Sequence, residues 1–203
     1  MKYLDFDKSF REFPVFSIKD IKKRYPDFDS RRLVEWQQKD YIQKVRRGYY
    51  CFRYIKKNEL FLYQAANKIY SPSYISLESA LSYYSFIPEG VFITSSISTR
   101  NTANYDTIIG EFSYKHVKPE LFFGYRLIQG SVTMIKIAEP EKVLLDYLYL
   151  NKPSSLYEIK EMRFNSIQIR ETIDFSKLKI YQKIFNSKVV DARVKLLKRI
   201  INA

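Results

Sequence analysis

An α+β fold is predicted by three observations in this 203-residue chain. A helix stop, a second helix start and a glycine hairpin follow one another between residues 17 and 55. Short β-branched and aromatic runs separated by turn residues occupy 91–137. Stretches with helical spacing then fill 139–150 and 156–201. With 17% aromatic residues and only five glycines, the composition is that of a folded chain.

Residues 1–16 predict a leading helix near Tyr3–Phe10, with Phe13-Pro14-Val15-Phe16 as its exit. The next helix begins with a capping box, since Ser17 can accept from the Asp20 amide while the Asp20 carboxylate reaches back to the Ser17 amide. Pro26 stops that helix and pushes Tyr25 out of the α region. Asp29 or Ser30 then caps a second helix. On it, Leu33 and Trp36 face inward, while Arg31, Val34, Glu35 and Gln38 face outward at 100° per residue. Tyr41, Val45 and Tyr49 flank Arg46-Arg47-Gly48, where glycine allows the positive φ of a tight hairpin.

Two helices, a short turn and a basic hairpin together predict a winged helix-turn-helix over residues 1–57. Arginine suits guanine edges, glutamine suits adenine, and Val34 suits a thymine methyl, so the outward face has the chemistry of a recognition helix. The candidate DNA-binding residues are Ser30, Arg31, Arg32, Val34, Gln38 and Lys39 on and around this helix, with Arg46, Arg47 and Tyr49 on the hairpin. The two arginines are expected to meet phosphates. The same stretch also reads as a small module that packs against protein.

Charge distribution agrees with a polyanionic partner. Residues 1–57 carry 16 basic against 8 acidic side chains, 58–150 carry 7 against 9, and 151–203 carry 12 against 5. Cys51 and His116 are the only residues of their types, which excludes an internal disulfide and a multi-cysteine zinc site. His116 reads as structural, and no cofactor is expected. With no apolar leader and no long apolar run, the expected location is the cytoplasm, with no membrane partner.

Beyond Lys57 the expected unit spans 58–203. A helix over Glu59–Ile69 places Leu60, Tyr63 and Ala66 or Asn67 on one side, and Ser76 is expected to cap a helix after it. Strands are expected at 91–96, 108–117, 121–128 and 132–137, with Gly130 between the last two. Helices follow at 139–150, near 156–164, and at 175–185 and 188–201. Glu139, Glu141, Lys142 and Asp146 invite a metal-dependent nuclease reading. On a helix start they also read as dipole-stabilised carboxylates and an i,i+4 ion pair.

Several phrases resemble the AbiEi family of antitoxins from bacterial type IV toxin-antitoxin systems. They are Arg46-Arg-Gly-Tyr-Tyr50, Pro72-Ser-Tyr-Ile-Ser-Leu-Glu-Ser-Ala-Leu81 with Ile87-Pro-Glu89, Gly110-Glu-Phe-Ser-Tyr114, Leu121-Phe-Phe-Gly124, and Ile137-Ala-Glu-Pro-Glu-Lys-Val-Leu-Leu-Asp146. They lie in the family's order across residues 17–150, and the segment after Asn151 matches loosely. Asp40 departs from the glycine that many winged helices carry after the recognition helix. The resemblance implies an N-terminal winged helix that represses its own promoter at operator DNA. It also implies a C-terminal domain that counters a nucleotidyltransferase toxin. Lys188, Lys195, Lys198 and Arg199 on the last helix are the candidate surface for the toxin or its RNA substrate. A transcription regulator without a toxin remains the alternative.

Overall fold

The computed structural model describes residues 1–201. The chain begins with α1 (Tyr3–Phe10), which buries Phe6 and Phe10 one turn apart, and β1 (Phe16–Ser17). Helix α2 (Ile18–Arg24) starts on the expected capping box: Asp20 N donates to Ser17 Oγ at 3.1 Å and Ser17 N to the Asp20 carboxylate at 2.8 Å. Tyr25 leaves helical geometry (φ −133°, ψ 85°) because Pro26 follows it.

Helix α3 (Arg31–Gln38) is capped by Asp29, whose Oδ1 accepts from Arg31 N at 3.0 Å; the Ser30 hydroxyl makes no cap bond. Asp40, where glycine is common, does take a left-handed φ of 58°. Strands β2 (Ile42–Arg46) and β3 (Tyr49–Phe52) pair antiparallel around Gly48, whose φ is 82°, and β1 adds to β3. The three helices and this β1-β3-β2 sheet enclose an aromatic core. Phe6 lies at its centre, with the rings of Phe10, Phe16, Phe28, Trp36 and Phe52 at 4.6–6.3 Å.

The rest of the chain builds a second, larger core. Helix α4 (Glu59–Ile69) is capped by Asn58, which accepts from Phe61 N at 2.9 Å. It buries Phe61, Tyr63, Ala65, Ala66 and Ile69, while Leu60 is exposed instead of sharing the inward face with Tyr63. Then come β4 (Ser73–Ile75), α5 (Leu77–Tyr83), β5 (Ile93–Ser98), β6 (Ala103–Thr107) and β7 (Gly110–His116). A 3-10 turn at Pro119–Leu121 leads to β8 (Tyr125–Gln129), β9 (Met134–Ala138) and α6 (Pro140–Asn151). Helices α7 (Leu156–Glu161), α8 (Ser166–Thr172), α9 (Phe175–Phe185) and α10 (Lys188–Ile201) complete the described chain.

The sheet is mixed and six-stranded, in the order β6-β7-β5-β4-β9-β8, with β4/β9 and β5/β7 parallel. It has two strands more than expected. The additional strands are β4 and β6, because runs this short acquire strand character only from partners distant in sequence. Val91 and Phe92 stay outside β5, and the expected 156–164 helix ends at Glu161, before α8 begins.

Strand alternation divides what lies on either side of the sheet. Ile75, Ser96 and Tyr114 are in register on one face, where Tyr114 Oη donates to Ala66 O of α4 at 2.9 Å. Tyr74 and Ile97 point to the other face, where Tyr74 Oη donates to Asp146 of α6 at 3.0 Å. The N-terminal unit docks on the α4 side. Lys68 pairs with Asp20 at 2.7 Å, Ser131 Oγ donates to Glu12 O at 3.2 Å, and Val15, Val45 and Cys51 pack into the larger core. Among the described residues no helix is long and apolar enough to cross a membrane.

Candidate nucleic-acid interface

The amphipathic spacing of α3 buries Leu33 and Trp36 against the aromatic core and leaves Arg31, Val34, Glu35 and Gln38 outside, with Lys39 beyond them and Ser30 before them. Val34 is 54% exposed, so an apolar side chain sits amid polar ones on a free surface. Arg32 is half-buried. Arg31 rests on Asp29, with Nε at 2.9 Å and Nη2 at 2.8 Å from Oδ2, and this hydrogen bonding holds the Asp29 carboxyl below its usual range. The pair is solvated, so it contributes little to stability and opens readily for a competing anion.

At the hairpin tip the two arginines part company. Arg47 is exposed, as expected. Arg46, expected to meet phosphate, is turned toward the second unit: Nη1 donates to Ile69 O at 2.9 Å, and its guanidinium lies 4.1 Å from the Tyr105 ring centroid. Two local causes combine. A β-bulge between Lys44 and Arg46 re-aims the side chain. The C-terminal carbonyl of α4 then offers partial negative charge beside an aromatic face. Tyr49, half-buried 5.8 Å away, supports this clamp, so neither residue is presented as freely as Arg47.

Lys22, Lys23 and Arg24 in the last turn of α2 are exposed, and Arg24 lines the same concavity as Arg32 of α3. In the sequence their run is legible only as the end of the helix that Pro26 stops. Cys51 is buried beside Gln43 Nε2 at 3.2 Å, and burial pushes its thiol up. His116 lies at the exposed end of β7, its Nδ1 3.1 Å from Arg100 O.

The carboxylate cluster of α6 resolves into two structural knots. Lys142 and Asp146 form the i,i+4 pair, fully buried, and Lys142 Nζ also donates to Tyr74 Oη at 2.8 Å. Asp146 Oδ2 accepts from Tyr74 and, at 2.9 Å, from Ser76 Oγ. The Ser76 hydroxyl, expected to cap α5, is thus engaged elsewhere. Burial pushes the Asp146 carboxyl up and the Lys142 ammonium down. Glu139 and Glu141 instead fasten α6 to α9. Glu141 Oε1 accepts from Asp174 N at 2.9 Å, and Glu139 pairs with Lys177 at 3.1 Å and accepts from Tyr181.

On the far side of the sheet, Lys195 and Lys198 of α10 line a groove whose other wall is α9, while Lys188 and Arg199 are exposed outside it. No protein-family model matches this chain, and no curated protein does.

Proposed function

We propose that residues 1–57 are a winged helix-turn-helix that sets α3 in the major groove of duplex DNA. In this reading the protein is an AbiEi-type antitoxin that represses its own operon and counters a nucleotidyltransferase toxin in the cytoplasm. The observation that carries the DNA half is the two-sided character of α3. Its inner face is locked by Leu33 and Trp36, while Arg31, Val34 and Gln38 form an exposed row of groups able to address guanine, the thymine methyl and adenine once Arg31 exchanges its solvated pair with Asp29. The three-stranded sheet beside it presents Arg47 at the tip, where a phosphate contact fixes register. The toxin half rests on the sequence resemblance, and its test is whether the adjacent reading frame encodes a nucleotidyltransferase from whose toxicity the chain protects cells.

DNA binding is tested by titrating a promoter fragment from upstream of the protein's own reading frame against random duplex. Arg31→Ala and Gln38→Ala should each cost about 1–3 kcal/mol on the promoter fragment and little on random DNA. Arg47→Ala should weaken both and lower the salt slope by about one. Arg46→Ala should leave that slope unchanged, because its charge is already committed to Ile69 O and Tyr105. Equal losses of the Arg31 and Gln38 variants on both duplexes would move the reading surface off α3.

A further inference from the structure

We infer that the β8 edge of the six-stranded sheet pairs with the same edge of a second copy of this chain, antiparallel and with Leu127 on the two-fold axis. Strand β8 ends the sheet, with β9 on one side and no strand on the other among the described residues. Which backbone groups face the open side follows from the register. Glu139 N donates to Gly124 O at 2.9 Å, which makes Gly124 and Glu139 a hydrogen-bonded pair. Such pairs alternate along an antiparallel ladder, so Arg126 and Ile128 also bond toward β9, while Tyr125, Leu127 and Gln129 turn their N–H and C=O groups outward. Among the described residues none of these three finds a backbone partner outside the ladder.

An open edge is ordinarily blunted by charge or covered by another element. The opposite edge of this sheet is both: β6 exposes Asp106, and the Arg46 guanidinium of the hairpin lies 4.1 Å from the Tyr105 ring centroid. On β8 the two nearest cations fold back onto rings of their own chain. Arg126 lies 5.4 Å from the Tyr84 centroid, and Lys136 of β9 lies 5.6 Å from that of Tyr125. What remains at the middle of the edge is Leu127, 56% exposed, with Met134 of β9, 47% exposed, on the same face.

Self-complementarity identifies the occupant. With Leu127 opposite its own copy, Tyr125 meets Gln129 of the other chain on both sides of the axis, and every outward residue of β8 enters a hydrogen-bonded pair. Leucine then lies on leucine, and Arg126 opposes Ile128. An axis at Arg126 would set two guanidinium side chains against each other and place Gln129 opposite Phe123, outside the strand. An axis at Ile128 would place Tyr125 opposite Ser131, again outside it. A two-fold contact closes after two chains, so the product is a dimer and not a fibre. With a strand of 5 residues from each copy, the interface belongs to the small, reversible class.

The experiment is analytical ultracentrifugation of the full chain, with cysteine cross-linking to read the register. The mass of the parent should rise from 24.4 kDa toward twice that value between roughly 1 and 100 μM. Leu127→Lys sets like charges face to face and should stay monomeric over this range, with an unchanged melting temperature because the side chain is exposed. Leu127→Cys should form an intermolecular disulfide on mild oxidation, since the Cα atoms of a hydrogen-bonded antiparallel pair lie about 5.5 Å apart, within the span a disulfide bridges. Arg126→Cys and Ile128→Cys should each fail to cross-link alone and should cross-link when mixed, because these positions oppose each other across the axis. The native Cys51 is buried and takes no part. A parent that stays monomeric at the highest concentration overturns the inference. So does a dimer that survives Leu127→Lys, which another surface would then form, or cross-linking of Arg126→Cys alone in preference to Leu127→Cys, which would place the axis elsewhere.

Discussion

Phe6→Ala should destabilise the N-terminal unit by about 3–5 kcal/mol. Phe6 is fully buried and touches five other aromatic rings, in a core whose fully enclosed side chains all lie between residues 6 and 52. A core this small has no second layer to collapse into the void, so the cavity term is felt in full. Trp36 is the single tryptophan of the chain and lies 4.6 Å from the Phe6 ring, which makes its fluorescence a reporter of this core alone. Denaturation followed by Trp36 emission should shift strongly to lower denaturant, while the far-ultraviolet signal of the larger core keeps its own midpoint. Coincident transitions in the variant would show that the two cores unfold as one cooperative unit, and that the contacts of Arg46, Lys68 and Val15 couple them more tightly than their number implies.

Asp146→Ala should have a comparable effect in the second unit, about 3–5 kcal/mol, because it leaves the Lys142 ammonium buried without a counter-charge. Tyr74 and Ser76 lose their acceptor at the same time, which places the loss at the upper end of that range. The double variant Lys142→Met with Asp146→Leu removes both charges. It should recover most of the loss and stop short of the parent by the two orphaned hydroxyls. Far-ultraviolet denaturation of the three proteins measures this. A single variant that loses less than about 1 kcal/mol would mean that water reaches the pair and that the seal formed by Phe123 and Phe185, whose ring centroids lie 5.1 and 5.0 Å from the Lys142 amine, is open.

The α6 ion pair and the hairpin Arg46 are both visible in the sequence, yet the structure uses them differently. Lys142 and Asp146 were legible as an i,i+4 pair because that interaction lies within one turn of helix. Their burial, and the recruitment of Tyr74 and Ser76 some seventy residues away, depend on β4 lying in the middle of a sheet whose other strands come later in the chain. Arg46 was legible as a hairpin arginine but not as a clamp, since its partners Ile69 and Tyr105 belong to other elements.

What the sequence determined by itself is everything governed by neighbours a few residues apart. The capping box at Ser17, the stop at Pro26, the positive φ at Asp40 and Gly48, the two faces of α3 and the limits of α1, α4, α9 and α10 all follow from such short-range chemistry. Tertiary structure alone decided the six-strand order and the existence of β4 and β6. It also decided which hairpin arginine stays free. Those outcomes are set by pairing and packing between distant segments. Local propensity is weak beside the burial of a strand or the satisfaction of a buried charge, so the global arrangement overrides it wherever the two disagree.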